Sequence, residues 1–93
     1  MAKAPVFDLP FNSEVAFKKV LAACEEVGKV EDSNSLTKFI IVKARYGLNP
    51  VRARITVTSS GPKTSSVEMI ARGQDIWGVA SRTVMDRIIA AIR

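Results

Sequence analysis

Five cations are spaced along the chain in a way that can do chemistry. Lys43 and Arg45 close one apolar run, Arg52 and Arg54 alternate with Val51, Ala53 and Ile55 in the next, and Arg72 ends a third. Side chains of an extended strand alternate between its two faces, so each of these pairs shares one side of its strand. Guanidinium forks match the oxygens of carboxylate and phosphate two at a time, and the chemistry such a set offers is capture of an anion. Regional charge agrees. Residues 36–73 hold seven basic residues and one acid, Glu68, for a net of +6, whereas the rest of the chain nets −1.

Most other chemistry is closed. The chain has no histidine and a single cysteine, Cys24. Zinc sites draw mainly on Cys and His, and an internal disulfide needs a second thiol. Cys24 falls on the apolar side of a helical pattern with nothing nearby to lower its pKa, the setting of an inert structural thiol. Ser59, Ser60, Ser65 and Ser66 have no histidine to activate them as nucleophiles. Glu25–Glu26 and Glu31–Asp32 read as solvated carboxylates on a helix surface and a weak strand. The stretch "SSGPKTSS" has the composition of a phosphate-cradling loop but neither the spacing nor the strand-to-helix setting of one. Tyr46, Glu68 and Asp75 are left as scattered candidates, too few for a catalytic constellation. The expectation is a protein that is not an enzyme and uses no cofactor and no metal.

The elements that position the five cations follow from periodicity. Asn12 or Ser13 caps a first helix, with Glu14 favoured in its first turn by the helix dipole. Phe17, Val20, Leu21, Cys24 and Val27 form its buried stripe, and Gly28 is placed to end it. Before it, Val6, Phe7, Leu9 and Phe11 fold back over the core, with Pro10 setting the approach to the helix. Four strands come next: "KVEDS", short and weak; "SLTKFIIVKARY"; "VRARITVTS", which alternates cleanly; and "SSVEMIARG". A last helix, capped by Asp75, carries Ala80, Val84, Met85, Ile88 and Ile92 on its apolar side. Both helices have one stripe to bury, and one face of the sheet is available for it. The 93 residues are thus expected to form a single domain, 1–93, of the α+β class. Its architecture is a two-layer sandwich ordered αββββα, a four-stranded antiparallel sheet with both helices on one face.

The hairpins set which cations meet. Taking Gly47 to Pro50 as a four-residue loop pairs Arg45 with Arg52 and Lys43 with Arg54. Pairing Val57 with Val67 in the next hairpin puts Arg52 opposite Arg72. Arg45, Arg52 and Arg72 then form one row on the outer face, with Lys43 and Arg54 behind. Such charges ordinarily keep an exposed sheet soluble and unstacked, their stems covering apolar neighbours such as Ile41 and Ile70. The sharper reading is a docking surface for an anionic macromolecule or surface, which would make the protein a small binding or interaction domain.

Two alternatives stand beside it. One is a nucleic-acid-binding domain, against which count the lack of a recognition helix or RNP-like motif and the presence of one aromatic, Phe39, on the charged face. The other is a self-associating homodimer without an anion ligand, with Phe39, Ile41 and Trp77 as interface candidates. Trp77, beside Gly78 at the turn into the last helix, reads first as an anchor packed over the sheet end.

No stretch reaches the roughly 18 apolar residues of a membrane span, and "MAKAPVFDLP" lacks a signal-peptide pattern. The expected location is cytoplasmic. The order "PF…AF…VL…EVG", then "YGL…V…V", then "DIWG" opening a helix with Arg82, Asp86 and Ile88, resembles small uncharacterised bacterial domains of a lipoprotein-like, helix-grip type. That resemblance implies an antiparallel sheet packed beside a long terminal helix and brings no known activity. The chain departs from such lipoproteins in having no leader and no lipidation cysteine near its start.

Overall fold

A computed structural model describes residues 2–3, 6–73 and 78–92. Its elements are β1 (Ala2–Lys3), β2 (Phe7–Leu9), α1 (Ser13–Val27), β3 (Lys29–Asn34), β4 (Phe39–Tyr46), β5 (Asn49–Gly61), β6 (Thr64–Gly73) and α2 (Val79–Ile92). The class is α+β with a fully antiparallel sheet. The expected four-stranded sheet is corrected by the N-terminal segment. Phe7, Leu9 and Phe11 do fold back against the core, but the segment does so as strand, adding a fifth position along β6 occupied by β1 and β2 in turn, so the order is β1/β2–β6–β5–β4–β3. Phe7 pairs with Val67 and Leu9 with Ser65, which turns both toward the core while Asp8 faces out.

Asn12 is the helix cap. Its side-chain oxygen accepts from the Val15 backbone N–H at 2.9 Å, satisfying one of the four donors a helix start leaves without an internal partner. Ala16, Phe17, Val20, Ala23 and Cys24 line the buried side of α1, and Ala80, Ser81, Val84, Met85 and Ile88 that of α2. Both stripes meet the inner residues of the sheet, Ile40, Val42, Val51, Ala53, Ile55, Val67, Met69 and Ala71 among them, in one continuous core. Leu21, Val27 and Ile92, expected in the stripes, pack at its margin. Asp75 and Trp77 lie outside the described residues.

Gly28 ends α1 in an extended conformation, φ −161° and ψ −151°, not in the left-handed one that usually selects glycine at a helix end. Its requirement is space: a Cβ there would run into the backbone carbonyl oxygen of Lys43 and come within 3.0 Å of the Ala44 side chain. The helix end is thereby pressed onto β4, one residue from the charged face.

Candidate functional site

The outer face of the sheet is built by three hairpins. Between β4 and β5 the loop has two residues, Gly47 and Leu48, because Tyr46 pairs with Asn49 and Arg45 with Pro50. Gly47 takes a positive φ of 63°, which the first position of a tight hairpin demands and glycine supplies without strain. The four-residue loop expected from "GLNP" is therefore shortened, and Pro50 enters the strand. Pro50 lies at the turn end of β5 opposite Arg45 of β4, and the start of a strand tolerates proline better than its middle.

The shorter loop slides the register by two residues. Inner and outer faces are preserved, since the period of a strand is two, but the cations change partners. Lys43, not Arg45, stands opposite Arg52, and Arg52 stands opposite Arg72 as expected. On the far side Lys43 pairs with Lys29 of β3. Four cations thus cross four adjacent strands in the order Lys29, Lys43, Arg52, Arg72. The next row is Asp32, Ile41, Arg54, Ile70, which places one guanidinium between two isoleucines and a carboxylate at the β3 end.

These two rows form an open depression of about 690 Å³ lined by Ile41, Lys43, Arg52, Arg54, Ile70 and Arg72, with Pro50, Val51 and Gly73 at its end. Four of the five cations singled out in the sequence come together in it. Arg45 does not: it lies at the level of Pro50, one row further along β4, about 7 Å from Lys43 at the usual strand rise. Of the interface candidates, Ile41 is part of the floor. Phe39 stands at the next row and carries the Arg54 guanidinium over its ring, 5.6 Å from the centroid.

One site residue is missing from the sequence reading. The pairing of β3 with β4 steps from Val30–Val42 to Asp32–Ile41, so Glu31 is the extra residue of a β-bulge. A bulge bends its strand and re-aims a side chain. The Glu31 carboxylate reaches across β4 to Arg52, with 2.9 Å from Nε to Oε1 and 3.4 Å from Nη2 to Oε2. It is a side-on, two-pronged contact of the kind that makes guanidinium a carboxylate receptor. The Glu31 side chain is 32% exposed against 65% for Arg52. Glu68 stands on the same face, opposite Thr56 in the row past Arg54, and is itself partnered.

Cys24, at the core side of α1, is fully buried. Burial, with a smaller contribution from Glu25, pushes its thiol from 9.0 up to about 12, which removes the thiolate that reactivity would require.

No family model matches the chain. Its sequence is 31% identical over 72 residues to Regulatory protein RecX of Escherichia coli strain SE11, covering 76% of this chain and 43% of that protein. The likeness to Regulatory protein RecX of Escherichia coli O1:K1 / APEC and of Shigella boydii serotype 18 is also 31%, over 67 residues, 71% of this chain and 40% of each relative. The chain spans less than half the length of the curated relatives it matches. No helix among the described residues is long and apolar enough to cross a membrane.

Proposed function

We propose that the protein is a non-enzymatic interaction domain that docks an anionic macromolecular partner on the open face of its sheet. The observation that carries this reading is the row Lys43–Arg52–Arg72 in direct register, joined by Arg54 around a depression with an apolar floor. Like charges opposed across strands cost a few tenths of a kcal/mol per pair. A partner that neutralises them recovers that cost and adds charge-assisted hydrogen bonds. Similarity to proteins named as regulatory fits a role exerted on another molecule.

Binding of this origin weakens steeply with salt, because each neutralised cation is screened as the Debye length shrinks. Titration of the protein with acidic polypeptides, nucleic acids and anionic vesicles at low and at high salt tests it. The expected result is binding at low salt that the double substitution Arg52→Ala, Arg72→Ala abolishes. Absence of binding to every probe at low salt overturns the reading.

A further inference from the structure

Resting on the basic-face reading above, we infer that the partner is an acidic protein segment carrying large apolar side chains, and that it binds by displacing Glu31 from Arg52. Three features of the face point to this class of ligand.

The first is that the depression is two-sided in chemistry. A cationic row, Lys43–Arg52–Arg72, runs beside the row Ile41–Arg54–Ile70. Neighbouring strands are about 4.8 Å apart and successive same-face residues about 7 Å. A ligand spanning both rows meets anion receptors on one side and apolar surface on the other. A polypeptide mixing Asp or Glu with Leu or Ile supplies both, since burying the two isoleucines adds to the ion pairs. A polyphosphate backbone covers the charges and leaves the isoleucines wet.

The second feature weighs against bases stacking on this surface. Sequence-tolerant binding of single strands relies on open aromatic faces. The aromatic ring on this face, that of Phe39, lies under Arg54, and Tyr46 belongs with Val42 and Ala44 to the helix side of β4.

The third is the bulge itself. Glu31 reaches Arg52 across an intervening strand, so a carboxylate already occupies the central receptor. Any carboxylate ligand exchanges with it, atom for atom, at Arg52 Nε and Nη2. Glu31 is thus both a specimen of the chemistry the site accepts and an internal competitor that lowers affinity until a partner of sufficient length arrives.

The test uses fluorescence anisotropy at low salt with three labelled probes: a peptide mixing Glu and Leu, the same peptide with Ser for Leu, and oligothymidylate. Wild type is compared with Glu31→Gln and with Glu25→Gln, which makes the same charge change on the exposed surface of α1. The expected order is Glu–Leu peptide tightest. Glu31→Gln should tighten it by about two- to fivefold, the value of one partly exposed ion pair, and Glu25→Gln should leave it unchanged. Equal effects of the two substitutions overturn the exchange at Arg52 while leaving the basic-face reading intact. Tighter binding of oligothymidylate, or no loss on replacing Leu by Ser, overturns the assigned partner class with the same reading intact. No binding of any probe overturns both.

Discussion

Strands β4, β5 and β6 present two faces made from neighbouring residues of the same chain, and the faces obey different rules. Inward, Ile40, Val42, Val51, Ala53, Ile55, Val67, Met69 and Ala71 are at most 1% exposed. Outward, one residue away in each case, stand Lys43, Arg52, Arg54 and Arg72. The inner face is set by volume, since a close-packed interior feels the loss of a methylene. The outer face is set by charge and, under the proposed function, by the partner that neutralises it. Fold and the proposed binding are therefore separable here by a step of one residue, and substitutions can be directed at either.

The largest effect is expected inside. Ile55→Ala, at a side chain with no exposure, should destabilise the fold by about 2–5 kcal/mol, read as a lowered urea midpoint with the slope unchanged. That is a large share of the roughly 5–15 kcal/mol holding a domain together. A smaller loss would mean that the two helices settle into the space, and would weaken the contrast between the faces.

Cys24 gives a pH-dependent form of the same test. Its thiol is held up to about 12 in the fold against 9.0 ordinarily, so the folded chain keeps a proton that the unfolded chain gives up. The stabilisation is fully present below pH 9 and is lost as pH rises from there toward 12. The slope from this group is up to about 1.4 kcal/mol per pH unit. Urea titrations of wild type and Cys24→Ala across that window should differ by this slope; parallel curves would show that the thiol is wetter than its burial implies.

Gly28 joins the two faces, and its substitution should fall between them. Gly28→Ala forces the end of α1 away from the Lys43 carbonyl, at about 1–3 kcal/mol by analogy with other overpacked contacts. Because Lys43 belongs to the cationic row, binding should weaken along with stability, and an effect on stability alone would uncouple them.

The smallest effects on stability belong outside. Arg72→Ala and Lys43→Ala should leave the unfolding free energy from urea titration within about 0.5 kcal/mol of wild type while weakening anionic binding severalfold. Arg45→Ala, one row beyond the depression, should weaken it less. Equal losses from all three would favour diffuse attraction over a built surface.

How legible this was follows from particular residues. The two faces of β5 could be read directly because seven residues from Val51 to Val57 alternate without interruption, and the β5–β6 register came with them. The β4–β5 register could not, because "GLNP" offers two turns that differ by two residues and preserve both faces; Gly47 at positive φ decides it. That slip exchanged Arg45 for Lys43 as the partner of Arg52. Strand β2 was hidden by its length, since Phe7–Leu9 is too short for a period to show and its pairing depends on a partner some sixty positions away. Glu31 was hidden by the bulge. A single extra residue leaves no local signature in "KVEDS", and the carboxylate's target is 21 residues downstream.

The same bulge bears on how molecules of this protein tolerate one another. An outermost strand offers unpaired amide and carbonyl groups to any passing chain, the opening step toward fibres. Here one border of the sheet is kinked at Glu31 and studded with charge, and the opposite border is made of two short pieces, β1 and β2, rather than one long ribbon. Neither border provides a straight template, so concentrated solutions should stay clear. Excising Glu31 to flatten β3 is then the change expected to invite aggregation.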